Sequence, residues 1–252
     1  MIRVIIVISL LTIISCKQVN ESGDTFYNPA AEGFNEMASD VKAIAIADSV
    51  MQAMGGRKAW DETRFISWNF FGRRDLVWDK WTGSVRIEIP ADSTIMLLNL
   101  NDESGRVQIK GREIQDTDSV KTLLNRAKQI WVNDAYWLVM PFKLKDSGVT
   151  LKLIGEDTLP SGNKCKVLEL TFEAVGFTPN NKYRVFVDET DNLIKQWAYY
   201  QDASQDEPSA IWPWDNYQQY GNILLSADRS DGRGPKNVKV DANLPDEIFT
   251  QF

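Results

Sequence analysis

The chain has 252 residues, 43% of them hydrophobic, enough for one large domain with a substantial core. A formal net charge of −7 argues against docking by charge onto nucleic acid or an anionic membrane surface. There is no histidine, which excludes histidine-dependent serine or cysteine triads and histidine-ligated metals. The catalytic chemistry left open is carboxylate pairs, lysine-assisted nucleophiles or oxygen-ligated calcium and magnesium.

Residues 1–15 read as a lipoprotein signal peptide: Arg3 precedes an apolar run from Val4 to Ile14 that is too short for a membrane span, which needs about 17–25 apolar residues. Ile13-Ile14-Ser15-Cys16 resembles the bacterial lipobox, so Cys16 is the expected lipidation site and mature N-terminus; the alternative is an ordinary cleaved signal that happens to contain a cysteine. Each buried methylene adds about 0.8 kcal/mol to membrane binding, so two or three acyl chains anchor durably. Lys17 replaces the aspartate that favours inner-membrane retention, which points to the outer membrane; residues 17–20 do not specify the face, and the periplasmic face is expected over the cell surface. If Cys16 is acylated on sulfur, Cys165, the only other cysteine, has no disulfide partner within the chain and is expected as a buried or half-buried strand residue.

Residues 16–36 then form the lipidated cysteine and a polar, flexible tether, with the folded domain over 37–252. Met37, Val41, Ile44, Ala47 or Asp48, Met51 and Met54 predict one apolar helix face, stopped by Gly55-Gly56; Arg57 to Thr63 is a short helical turn packed through Trp60. Alternation predicts strands at 64–71, 75–78, 84–89, 94–100 and 106–110, joined by turns at Trp81-Gly83 and Asn101-Gly105. Asp116 or Asp118 caps a second helix with Val120, Leu123, Leu124, Ala127, Ile130 and Trp131 on its apolar face, running on into Tyr136-Trp137-Leu138-Val139-Met140-Pro141-Phe142. Further strands follow at 149–154, 164–174, 183–187 and 193–200, a count near ten. So many strands curl, close or split into layers as twist accumulates. The fold class is α+β: a strongly curved antiparallel sheet, an open and incomplete β-barrel, with helices over its concave face.

That order of elements, with Met54-Gly55-Gly56-Arg57-Lys58-Ala59-Trp60, Trp68-Asn69-Phe70-Phe71-Gly72-Arg73-Arg74, Trp78-Asp79-Lys80-Trp81 and Tyr136 to Phe142, resembles the LolA and LolB family of lipoprotein carriers, in the form of uncharacterised LolA-like lipoproteins of Bacteroidota. The likeness runs from about Asp40 onward. It implies an open half-barrel whose apolar cavity holds acyl chains. A departure is the anchor, since LolA is soluble and only LolB is lipidated; the family's cargo contacts are not matched one by one, and none is carried over.

Nine tryptophans suit the inside of a wide curved sheet, as packing or as a cavity lining. The cavity candidates are Trp68, Trp78, Trp131, Tyr136, Trp137, Leu138, Met140, Phe142 and Trp197. Trp212 and Trp214, flanking a proline after the acidic stretch Gln201 to Pro208, read as a loop or lid, or as a strand edge folded back on the core. Arg73 and Arg74 read as a cross-strand cluster with Asp75 and Asp79, or as contacts for a lipid headgroup at the cavity mouth. The run Asp228 to Gly234 reads as a solvated turn, its calcium-loop resemblance lacking the proper spacing. The expected function is non-enzymatic binding of a hydrophobic or amphiphilic ligand, a lipid or lipoprotein acyl chain, by an anchored monomer that takes no cofactor, no metal and no nucleic acid. The alternative is a glycan-binding or scaffolding lipoprotein that uses exposed tryptophans.

Overall fold

The computed structural model of the protein describes residues 27–173 and 176–252; the signal peptide, the lipobox and Cys16 lie outside these residues. Helix α1 (Val41–Ala53) begins after Asp40, whose N–H donates to the Leu151 carbonyl and whose carboxylate accepts from the Leu153 N–H. The buried face is Ala43, Ala47, Val50, Met51 and the capping Met54, so Ala47, Met51 and Met54 of the predicted stripe turn inward, whereas Met37 precedes the helix and is fully exposed, and Val41 is 83% exposed. Gly55, at φ 112°, turns the chain into α2 (Gly56–Glu62). A Cβ at Gly55 would lie 2.3 Å from the Asn222 carbonyl oxygen, so this contact admits only glycine.

Strands β1 (Phe65–Phe70), β2 (Arg74–Asp79), β3 (Ser84–Ile89), β4 (Thr94–Asn99), β5 (Gly105–Ile109) and β6 (Arg112–Glu113) run as an antiparallel meander. Alternate residues, among them Ile66, Trp68, Leu76, Trp78, Ile87, Met96 and Val107, point into the core, as the period of two requires. Asp116 then caps α3 (Thr117–Val139) by accepting from the Ser119 N–H, and a 3-10 turn, Met140–Lys143, ends it. Beyond it come β7 (Val149–Thr158), β8 (Lys164–Phe172), β9 (Lys182–Asp188), β10 (Ile194–Tyr200), β11 (Ala210–Pro213), β12 (Tyr217–Tyr220), β13 (Ile223–Ser226), β14 (Lys236–Asp241) and α4 (Glu247–Thr250).

The expected single sheet is corrected. The strands divide into a seven-stranded sheet ordered β14-β1-β2-β3-β4-β5-β6, a five-stranded sheet ordered β11-β10-β9-β8-β7, and the ribbon β12-β13. The break has a simple cause: after β6 the chain leaves the sheet as 23 residues of helix, so β6 and β7 never pair. The architecture is mixed α+β with antiparallel sheets, and no closed barrel forms among the described residues. Helix α3 bridges the two sheets. Its Leu124 comes so close to β5 that a Cβ on Gly105 would sit 2.8 Å from the leucine side chain, while Tyr136 and Trp137 reach β8, β9 and β10. Eight of the nine tryptophans belong to or pack on the one large core this creates, and Cys165 is buried in a small satellite cluster with Leu159 and Val167.

Of the expected tether, residues 16–26 lie outside the described residues, and residues 28–36 are held against the domain. Residues 28–40 are a strap along β7 and the turn before it: the Ala31, Asn35 and Asp40 N–H groups donate to the carbonyls of Lys145, Val149 and Leu151, and Phe34 packs on the core. The strap thus satisfies an edge that would otherwise carry unpaired backbone groups. Gln201 to Pro208 is likewise pinned, the Lys182 ammonium donating to the Gln205 carbonyl at 2.9 Å and Ala203 N–H to Asn180.

Candidate functional site

A cavity of about 300 Å³ lies between the C-terminal half of α3 and the inner face of the five-stranded sheet. The helix contributes Trp131, Val132, Asn133, Ala135, Tyr136 and Trp137; β8, β9 and β10 contribute Phe172, Tyr183 and Trp197, and Phe177 stands at the rim, 44% exposed. Strand register builds this wall: Val185 faces Trp197, which faces Trp212, and Leu170 faces Tyr183, which faces Tyr199. Tyr136 is held 5.5 Å from Tyr183, and Trp137 stands edge-on to Trp197 at 4.8 Å. Burial pushes the Tyr136 hydroxyl well above its ordinary pKa and raises that of Tyr183, so both phenols are neutral at physiological pH.

A second cavity of about 160 Å³ adjoins it. The two share Trp131, Lys143 and Asp146; the second is closed by Asn28, Pro29 and Ala31 of the strap, by Trp60 and Trp78, and by Phe142, stacked 4.3 Å from Trp60. Its charges are matched in pairs: Arg57 with Asp61 at 2.8 Å, Lys145 with Asp48 at 2.5 Å, and Lys143 with Asp146.

Of the predicted cavity residues, Trp131, Tyr136, Trp137 and Trp197 meet in the larger cavity, and Trp78, Trp131 and Phe142 in the smaller. Trp68, Leu138 and Met140 do not: they are core residues at most 2% exposed and line neither cavity, Trp68 because it lies on β1 in the other sheet, and Leu138 and Met140 because they fill the core at the end of α3 and in the turn after it. The lid reading of Trp212 and Trp214 is corrected in favour of the folded-back strand. Trp212 pairs with Trp197 in β11, and Trp214 is fully buried under the Arg229 guanidinium, 3.5 Å from its ring. The glycan alternative loses its aromatic platform with them; Trp81, the one tryptophan well exposed, donates its Nε1–H to the Asp61 carbonyl and lies beside Arg64.

Arg74 is no headgroup contact and does not pair with Asp75 or Asp79. It makes two hydrogen bonds, of 2.7 and 2.8 Å, to Asp134 of α3, which is fully buried, while Asp79 pairs with Arg64. Arg73 is exposed in the β1–β2 turn. The run Asp228 to Gly234 is a turn, as expected, but Arg229 within it is only 2% exposed. Missed altogether were Val132, Phe172, Phe177 and Tyr183; for Phe172 and Tyr183 the alternation of their strands held the signal.

No protein-family profile matches the chain, and no curated protein matches it. Among solved structures it is similar to a DUF1329 family protein from Desulfovibrio piger, with 17% identity, a TM-score of 0.44, and coverage of 82% of this chain and 96% of that one. It is also similar to MucB, with 14% identity, a TM-score of 0.24, and coverage of 75% of this chain and 66% of that one. The MucA/MucB complex of Pseudomonas aeruginosa gives 14% identity, a TM-score of 0.23, and coverage of 73% and 64%.

Proposed function

We propose that the protein is a lipoprotein anchored through Cys16 at the periplasmic face of the outer membrane, holding an apolar or amphiphilic ligand in the larger cavity without chemistry. A lipid or the acyl chain of another lipoprotein is the ligand class we infer, and a LolA-like half-barrel the scaffold. One observation carries the reading: about 300 Å³ of space walled by Trp131, Tyr136, Trp137, Phe172, Tyr183 and Trp197, at the lower end of the about 300–1,000 Å³ typical of small-molecule sites. Such a wall gains from excluding water at about 25 cal/mol per Å² of apolar surface, and the neutral phenols add no charge to oppose a hydrocarbon. The non-enzymatic part rests on the lack of histidine and of any paired catalytic motif in the sequence.

The test is native mass spectrometry on the full chain exported to a Gram-negative periplasm as Cys16→Ser, so that it carries no acyl group of its own. A co-purified acyl lipid is expected, and Val132→Trp, which fills the cavity from α3, should lose it while keeping the wild-type circular dichroism spectrum. Equal occupancy in both proteins would place the ligand elsewhere, and neither protein binding any added lipid would end the reading. The anchor is checked separately: Cys16→Ser should move the chain from the membrane fraction to the soluble periplasm.

A further inference from the structure

The smaller cavity differs from the larger in the charge its walls carry. Rings border most of the larger one, whereas Arg57, Lys143 and Lys145 bring three cations to the smaller, against the single lining carboxylate of Asp146. Asp61 and Asp48, which pair with Arg57 and Lys145, line neither cavity, so they neutralise those cations from outside the space. Lys80 adds a fourth positive charge. Its ammonium lies 4.1 Å from the ring centroid of Trp60, itself a wall of the smaller cavity, and donates to the Trp60 carbonyl at 2.8 Å. It makes no ion pair among the described residues. Burial first, and then the nearby charges of Arg57 and Lys143, hold its pKa down to about 8 against the pull of Asp61, so a neighbouring anion would relieve it.

Arg57, Lys80, Lys143 and Lys145 are thus set against three carboxylates, Asp48, Asp61 and Asp146, a local positive excess in a chain whose net charge is −7. One anionic group would cancel it, and charge-assisted hydrogen bonds would offset the cost of taking that group out of water. Arg57 has donors to spare: Nε is engaged by Asp61 and Nη1 by the Pro29 carbonyl, while Nη2 makes no hydrogen bond among the described residues. Lys143 and Trp131 border both cavities, so a molecule that enters one passes them to reach the other. Resting on the cavity reading above, we infer that the smaller cavity is an anion subsite: the protein takes an amphiphile whose carboxylate or phosphate head is met there by Arg57 and Lys143, with its hydrocarbon among the rings of the larger cavity. Asp146, the one carboxylate at the junction, is held by Lys143 and leaves the remaining cations to the incoming head.

The experiment titrates the full-length Cys16→Ser protein at neutral pH and low salt with octyl phosphate, octanoate, 1-octanol and inorganic phosphate, and affinity is read by calorimetry. Both anionic amphiphiles should bind about tenfold more tightly than octanol, the scale of one hydrogen bond to a charged group. Inorganic phosphate, which brings no chain, should bind far more weakly than octyl phosphate. Arg57→Gln and Lys80→Met should each lower octyl phosphate affinity about threefold, the scale of one partly screened charge, with octanol affinity and the circular dichroism spectrum unchanged. Lys80→Met breaks no ion pair, so it keeps the test open if Arg57→Gln fails to fold. Octanol binding as tightly as the two anions, or octyl phosphate affinity unmoved in the folded variants, would overturn this inference and leave the cavity reading intact. Inorganic phosphate binding as tightly as octyl phosphate would overturn the two-part site, since the chain would then contribute nothing. No binding of any chain-bearing probe would overturn both readings.

Discussion

Asp134 is fully buried on α3, and its only cation among the described residues is Arg74. Burial raises its pKa, and the two hydrogen bonds from Arg74 do not fully offset that. A carboxyl whose folded pKa is raised favours folding below its unfolded value, and that contribution is lost as the pH rises through the folded pKa. Asp134→Asn, which keeps an oxygen acceptor for Arg74, should therefore cost little near neutrality and should flatten the stability profile on the acid side. Arg74→Ala should cost about 2–3 kcal/mol in denaturant unfolding, below the ~3–5 kcal/mol of a wholly buried pair because the arginine is 21% exposed. Lys80 has the opposite profile. It sits over the Trp60 ring at 4.1 Å, bonded to the Trp60 carbonyl, and burial depresses its pKa to about 8. The unfolded chain then binds the extra proton between about 8 and the ordinary lysine value of 10.5, so stability should rise across that window. Urea titrations of Lys80→Met should lack the rise; an unchanged slope would mean that Lys80 is not the group responsible.

Among the elements, α3 depends most on partners far away in sequence. Arg229 Nη2 donates 2.6 Å to the Trp137 carbonyl in the last turn of the helix, Nε donates 2.7 Å to Ser226, and the guanidinium carbon lies over the Trp214 ring. Burial lowers its pKa to about 9, so it is still charged at neutral pH and complements the negative end of the helix. Arg229→Met should cost about 2–3 kcal/mol, the worth of a charge-assisted hydrogen bond together with a stacked ring, and should speed amide exchange in the last turn of α3. Nothing in the sequence disclosed this residue, because an arginine amid Asp, Ser and Gly looks solvated. The same limit explains β12 and β14: Tyr-Gln-Gln-Tyr and Lys-Asn-Val-Lys-Val-Asp carry too few apolar residues for alternation to register, and their pairing comes from β13 and β1. By contrast β3 was legible to the residue, since Val85, Ile87 and Ile89 alternate with polar neighbours between clear turns. For α1 the period was legible and the face only in part: Ala47, Met51 and Met54 turn inward as expected, Met37 and Val41 do not. Asp40 is committed to β7, which sets where the helix starts and so which side turns inward.

At the scale of the molecule, the core is continuous across both sheets and α3, so a ligand in the larger cavity touches elements of the second sheet and the helix together. Binding should therefore stabilise the fold as one unit. A ligand at about a hundred times its dissociation constant adds about 2.7 kcal/mol, a rise in melting temperature that Val132→Trp should abolish. Tryptophan content made a cavity legible in outline, but its position was not: it depends on which turn of α3 faces the second sheet, a matter of tertiary packing. Four of the nine named residues border the larger space, and the rest fill core or line the smaller one, because a tryptophan that packs and a tryptophan that lines have the same neighbours in sequence.

The strap over residues 28–40 also bears on how the protein behaves in company. Stripped to begin at Val41, the chain would lose the N–H donors of Ala31, Asn35 and Asp40 and leave Lys145, Val149 and Leu151 with free carbonyls along one border of the five-stranded sheet. Such a border is a template on which a second molecule can lay its own strand. The truncated protein should self-associate in a concentration-dependent way by analytical ultracentrifugation while the intact chain stays monomeric. A protease that clips ahead of α1 would then convert a chain with a covered sheet border into an aggregating one without touching the cavity aromatics.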